Sequence, residues 1–424
     1  MNTFTRRQML GGAAAGAAAA GLNMVMPGAI ARAAQQIAAK PQGEPIIIGH
    51  QCELTGWDAS TGYWRNQTAT ALVGWLNDNG GIAGRPVKLI TVDTKSDVDA
   101  GVTQLRKLML EDKVDLIIGA ELTSIAQACG KLAQENKTIY LTMSTSAETT
   151  GKGFAQPYQF RMTSNSAAEA AGATKQMVQQ VGKRWTVLYA DYAWGQSERD
   201  GWTKGVAAVG GEVVSPVGVP LDAQDLFPYV GRIDRSVNGI YIPVLNALQT
   251  IQTIREAGLK QDIVLAGLSF SLFDYRDLKS YGEGVWGIEL APIELDDLKS
   301  ANITKVYELM GVGSDGVEKS SGKVVGASMV VGIAQSLGFL KSAVEGAGWK
   351  SKQDGAQLIK YAEAHSTFEP SIFFPVAAVD LRPQDHTAFM DLFIVRIENG
   401  RLRSKARIGK ESTVYPADVD LTKA

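Results

Sequence analysis

Apolar positions along the chain fall into two alternating periods. From residue 45 onward, short runs of aliphatic and β-branched residues separate longer stretches with helical spacing. The run Pro45-Ile46-Ile47-Ile48-Gly49 predicts a buried strand, and residues 62–77 predict a helix. Residues 86–93 alternate partially, as a strand does. Residues 97–111 place Val102, Leu105, Leu108 and Met109 on one helical face. A strand over 114–119, a helix over 123–136 and a strand over 138–143 follow. The grammar then restarts, with helices over 167–181, 196–209 and 247–257 and strands over 185–191, 212–218, 239–244 and 263–267. Strands alternating with helices of this length imply parallel βαβ units with right-handed crossovers. The expected fold class is therefore α/β, with two doubly wound parallel-sheet lobes.

Residues 292–365 are mostly helical, with a long apolar helix over 323–345. Such a stretch cannot build a sheet of its own, so it is expected to pack back on the first lobe. Strands over 391–397 and 404–408 are expected to complete the second. The implied domains are residues 34–163 with 292–375, and residues 164–291 with 376–424. Three hinge crossovers join them, near Ser164, Ala291 and Leu381.

The first 33 residues read differently. Arg6 and Arg7 precede an apolar, uncharged run over 9–26, and Ala31-Arg32-Ala33 offers small residues at the −3 and −1 positions of a cleavage site. A basic start, an apolar middle and an A-x-A end describe a secretory signal, and paired arginines point to the twin-arginine route. The expected location is the periplasm. No second apolar run approaches the roughly 18 residues that a membrane helix needs.

Charge narrows the partners. The chain has 42 basic and 44 acidic residues, a net −2, which calls for neither nucleic acid nor an anionic membrane. The three histidines, His50, His365 and His386, are not paired at metal-ligand spacing, so neither a metal nor another cofactor is expected. His386, in the polar run Arg382 to His386, reads as a surface or hinge residue. Cys52 and Cys129 either pair or stay free; their separation in sequence does not decide. There is no G-x-S-x-G elbow, phosphate loop, H-E-x-x-H or dinucleotide fingerprint after the first strand, and no enzyme is expected.

In doubly wound sheets ligands sit beyond the carboxyl ends of the strands. The loops there carry hydroxyls and aromatics: His50 to Trp64, Ala120 to Ala126, Ser144 to Gly151, Asp191 to Gly195, and Ala266 to Ser271. A cleft between lobes would gather them.

Five runs, in order, resemble the branched-chain amino-acid (leucine-binding-protein-like) solute-binding proteins of ABC transporters, which have the type I periplasmic-binding-protein fold. They are N-D-N-G-G-I-A-G-R from Asn77, D-K-V-D-L-I-I-G-A from Asp112, S-T-S-A-E-T-T-G from Ser144, Y-Q-F-R-M from Tyr158 and L-Y-A-D-Y-A-W-G from Leu188. The resemblance implies that Thr123 and Ser124, with Ser144 and Ser146, hold a ligand carboxylate, that Trp194 covers the ligand, and that Asn246 lies near it. Trp57 adds a further aromatic. Two departures stand out: Leu268 where an acid usually pairs with the ligand ammonium, and Glu148 where a threonine is usual. An unpaired buried ammonium costs several kcal/mol. The implied ligand is thus a small carboxylate with an apolar or aromatic body, or a neutral amide, unless Glu148 supplies the missing charge.

The implied protein is a monomeric capture subunit that closes on a small solute and docks on an ABC permease in the inner membrane. The same fold feeding a receptor or regulator is the alternative. Replacing Arg6 and Arg7 together with lysine is expected to leave uncleaved precursor in the cytoplasm. Mature protein reaching the periplasm of a strain without the twin-arginine translocase contradicts that route.

Overall fold

The structure, a computed structural model, describes residues 40–298 and 300–423. The leader expected over residues 1–33 lies outside them. The chain opens with β1 (Ile46–Cys52), α1 (Ala59–Asp78), β2 (Val87–Asp93), α2 (Val98–Leu110), β3 (Leu116–Ile118), α3 (Thr123–Glu135), β4 (Ile139–Thr142) and β5 (Gln159–Arg161). It crosses into α4 (Ser166–Val181), β6 (Arg184–Ala190), α5 (Ala193–Ala208), β7 (Glu212–Val213), β8 (Val217–Val219), α6 (Phe227–Val230), β9 (Gly239–Ile242), α7 (Ala247–Glu256), β10 (Asp262–Leu265) and β11 (Trp286–Glu289). It returns through α8 (Ala301–Leu309), α9 (Ala327–Ala347), α10 (Gly355–Ala364), β12 (Thr367–Phe368), β13 (Val379–Arg382) and β14 (Thr387–Phe389). It ends with β15 (Leu392–Glu398) and β16 (Arg401–Ile408).

The strands form two sheets. The first runs β12-β13-β14-β5-β4-β3-β1-β2, and the second runs β16-β15-β11-β10-β9-β6-β7 with β8 also on β6. The centres are parallel, as βαβ units require. Both sheets are mixed at one edge, where β12–β13–β14 and β11–β15–β16 pair antiparallel. Hairpin-like returns can add such strands without a crossover helix.

Two expectations need correction. The third crossover was placed near Leu381, with residues 376–391 in the second lobe. Instead β14 pairs parallel with β5, Thr387 opposite Arg161, so β13 and β14 extend the first sheet and the chain crosses between Phe389 and Leu392. The strand over 212–218 splits in two because Ser215 takes a positive φ of 46° ahead of Pro216, which ends the ladder.

The helix over 323–345 begins at Ala327, after two isolated bridges among residues 312–324. It is long and apolar enough to cross a membrane, contrary to the reading that no second run was. Yet 89% of its most apolar window is buried within the protein. It packs on α1 and α10, and Gly332 and Gly338 lie against Met143 and Phe373 of the first lobe. A helix apolar on all sides belongs in a core. His386 is likewise buried rather than at the surface. Its ring stacks on Phe160 at 4.0 Å and bonds the Gln159 carbonyl and Glu363, each at 3.0 Å. Cys52 and Cys129 are both buried free thiols, Cys52 on the Gly62 carbonyl and Cys129 on the Gln51 amide.

Candidate functional site: an acid-walled pocket between the sheets

A pocket opens where the carboxyl ends of the two sets of strands face each other. From the first sheet come Asp58 and Thr61 after β1, Glu121, Leu122 and Thr123 after β3, and Thr145 after β4. From the second come Tyr192 and Trp194 after β6, Leu245 after β9, and Gly267, Leu268 and Leu272 after β10. Met329 of α9 closes one side. The walls leave little free space between them, about 30 Å³.

The first-lobe wall rests on a buried ion pair. β1 runs into Glu53, whose Oε2 meets Arg65 Nη1 of α1 at 2.7 Å, both side chains fully buried. The other arm of Arg65 donates to the Gly119 carbonyl at 2.7 Å, and Glu53 Oε1 accepts from the amides of Glu121 at 3.1 Å and Leu122 at 3.4 Å. Three segments are tied together by these bonds. Gly62 lets α1 come this close, since a Cβ there would lie 2.0 Å from the Glu53 carbonyl oxygen. Losing one partner of such a pair strands a buried charge and costs on the order of 3–5 kcal/mol.

Acids therefore crowd the pocket. Asp58 is 7% exposed; one carboxylate oxygen accepts from the Thr61 hydroxyl at 2.8 Å. Burial first, then the charges of Glu53 and Glu121, raise its carboxyl well above the usual range. Glu121 lies 3.8 Å from Arg65, but burial outweighs that guanidinium and lifts the Glu121 carboxyl to about 7. On the second lobe, Glu169 of α4 is buried against Gly267, where an added Cβ would fall 1.8 Å from Oε2. Neither oxygen of Glu169 makes a hydrogen bond of ordinary geometry, and burial raises its carboxyl to about 8. Glu198 donates nothing and accepts from Tyr241 at 2.8 Å, leaving one buried oxygen without a partner. His50, buried beside Arg65, is held neutral, its imidazole lowered to about 3 chiefly by burial.

Of the residues expected to touch a ligand, Thr123, Trp194 and Leu268 line the pocket. Ser144 stands one layer behind, 3.0 Å from the Thr123 hydroxyl and 3.1 Å from that of Thr149. Trp57 sits half exposed at the rim, edge-on to Tyr192 at 6.3 Å. The others are not brought together. Ser124 is exposed, and the Ser146 hydroxyl donates to Glu148 at 2.7 Å. Glu148 is exposed and faces a different cavity, lined also by Lys204, Tyr415 and Asp418. Asn246 caps α7, accepting from the Gln249 amide, and borders a separate hollow beside Pro220. Glu148 is thus no ammonium partner for a solute in this pocket. Behind the Leu268 loop lies a buried acid, Glu169 of α4, which packs against Gly267 but does not line the pocket. Asp58, Glu121, Thr145 and Tyr192 stand in the post-strand loops that the sequence pointed to but were not among the expected ligand contacts; an inventory of carboxylates in those loops would have found Asp58 and Glu121.

A family model described as periplasmic binding protein matches residues 45–401. The chain belongs to that family. It is 25% identical over 207 residues to a Leu/Ile/Val-binding protein homolog 4 of Brucella abortus, covering 46% of this chain and 49% of the relative. The chain thus matches about half the length of such curated relatives. Among solved structures, a solute binding protein of an ABC transporter from Rhodopseudomonas palustris, in complex with 3,4-dihydroxybenzoic acid, superposes with a TM-score of 0.73 at 20% identity, covering 90% of this chain and 99% of that one. A leucine binding protein from Thermotoga maritima superposes at 0.71 and 17% identity, covering 86% and 99%. The fold is that of type I periplasmic binding proteins, a fold of non-enzymatic solute carriers.

Buried acids make stability depend on pH. Glu121, Glu169 and Glu289 protonate at about 7, 8 and 7 when folded, against the usual carboxylate range when unfolded. The folded chain holds more protons, so their contribution is fullest in acid and is lost as pH rises through 7 to 8. Thermal unfolding of the solute-free protein is expected at a lower midpoint at about pH 8.5 than at about pH 5.5. Glu169→Gln should flatten that slope, since its shift alone corresponds to something on the order of 3–5 kcal/mol. A midpoint that is flat or rises over this range contradicts the assignment.

Proposed function

We propose that the protein is the periplasmic solute-binding subunit of an ABC importer and that it captures a small solute without transforming it. The observation that carries this reading is the pocket itself. Its walls come from the strand ends of both sheets, and three short connections join those sheets. Residues 162–165, 290–292 and 390–391 are the proposed hinges, and the lobes divide there. Bending at a few residues between rigid sheets is how such a pocket opens and shuts. The proposed route to the periplasm is the leader with Arg6 and Arg7, and the proposed partner is the importer's permease.

Within the pocket, an amide or carboxylate oxygen of the solute has donors in the Thr123 hydroxyl and the opening amides of α3. The amides of Thr123, Ser124 and Ile125 find no acceptor among the described residues. A helix start of this kind favours an acceptor oxygen. The apolar body has Trp194, Leu268 and Met329 to lie against. Tyr192 and Trp57 meet across the mouth and would cover it.

Small-angle scattering should show a smaller radius of gyration once the solute released from the native protein is added back at saturation. An unchanged radius with that solute demonstrably bound rules out hinge closure. Trp194→Ala should weaken binding by about 2–4 kcal/mol, the loss typical of a buried aromatic anchor, while the fold persists. Unaltered affinity removes Trp194 from the site.

A further inference from the structure

The head of the solute can be read from what the pocket leaves unsatisfied. Asp58 is nine-tenths buried and lines the pocket, yet only its Thr61-bonded oxygen has a hydrogen-bond partner. Among the described residues the Glu121 carboxylate has no partner nearer than Arg65 at 3.8 Å. Arg65 does not line the pocket; Glu53 and the Gly119 carbonyl engage its two Nη groups, and only its buried Nε lacks an acceptor among the described residues. Glu53 also occupies two amides of the loop after β3, the place where a ligand carboxylate would otherwise be held. Beside Asp58 and Glu121 a solute carboxylate would meet further acceptors; its donors lie only at Thr123 and the start of α3.

We infer that the solute is recognised through N–H donors, as an amide, amidine or ammonium nitrogen set between Asp58 and Glu121. This rests on the capture reading above and names the chemistry of that same pocket. It leaves the acceptor end of the solute at Thr123 and the body at Trp194. It excludes plain aromatic or aliphatic acids as the preferred cargo.

The acids facing the pair act in one sense; Arg65 and the Thr61 hydroxyl act in the other. Glu53 faces both acids from the end of β1, and Arg65 faces them from α1. From the second lobe, Tyr192 at the start of α5 lies within electrostatic reach of Asp58 and Glu121, and Glu169 of α4 within reach of Glu121 and Glu289. Glu198 of α5 lies beside Glu169. Closing the lobes brings these acids toward the same space, and a donor nitrogen between them relieves their mutual repulsion. Without a solute, Glu121 titrates at about 7, so part of the population carries a proton there near neutrality. An N–H donor favours the ionised form, so affinity rises with pH up to about 7–8 and levels off above. An anion favours the protonated form and gives the opposite slope.

The test keeps the body constant and varies the head. Titration calorimetry of the mature chain with benzamide, benzamidine and benzoate, in two buffers of different ionisation enthalpy, reads both affinity and protons. Benzamide or benzamidine is expected to bind about tenfold or more tighter than benzoate, with net proton release near pH 7. Glu121→Gln and Asp58→Asn should each remove most of that preference. Glu121→Gln should also flatten the pH slope of affinity, and both variants should still unfold cooperatively because the Arg65–Glu53 pair is untouched. Tighter binding of benzoate, or proton uptake on capture, overturns the inference and leaves capture standing. If all three aromatic heads are silent, the solute released from the native protein decides. A nitrogen-bearing solute supports the inference, and one without an N–H group overturns it. Failure of capture itself shows differently, as no released solute and no contraction in scattering.

Discussion

The buried Arg65–Glu53 pair is the constraint on which the pocket depends. Taking both charges out of water is costly, and the cost is met by geometry: a 2.7 Å contact, two amides on Glu53 and a carbonyl on Arg65. The bonds join the end of β1, the first turns of α1 and the loop leading into α3. Those three segments carry Asp58, Thr61, Glu121 and Thr123. One interaction therefore sets the shape of the first-lobe wall. Three acids, Glu53, Asp58 and Glu121, share the single guanidinium of Arg65 there.

Burying such acids works against stability above neutral pH, which the chain tolerates across both lobes. Glu169 sits under Gly267 with no ordinary hydrogen bond, and Glu198 keeps one oxygen unpaired. Glu289 differs. It accepts from Ser271, the Phe270 amide and Ser328 of α9, so a second-lobe strand is bonded to a first-lobe helix beside the second crossover. The acid at the second crossover is therefore satisfied, while Asp58 in the pocket keeps one oxygen without a partner among the described residues.

Much of the fold was legible because it follows from period. Strands β1 to β4, β6, β9 and β10, with helices α1 to α5 and α7, were each foreshadowed by apolar spacing. The strand ends pointed to the loops that do line the pocket. What period cannot convey is lateral pairing. Nothing in the spacing of residues 379–389 says that they extend the first sheet beside β5, so the third crossover was placed about ten residues early. The site was half legible for a related reason. Thr123, Trp194 and Leu268 stand at strand ends and were found. Glu148 and Ser146 stand at one too, but the short helical turn after β4 aims them at each other and at another cavity. Glu169 was invisible, because a helix brings it through space to fill the absence of a side chain at Gly267.

The picture of two lobes around a pocket walled by acids has one direct trial: a crystal structure of the mature protein purified with its native solute. Density for that solute is expected between Thr123 and Trp194, with a nitrogen about 3 Å from a carboxylate oxygen of Asp58 or Glu121. Solute density elsewhere in the molecule, or a carboxylate of the solute facing those two acids, contradicts it.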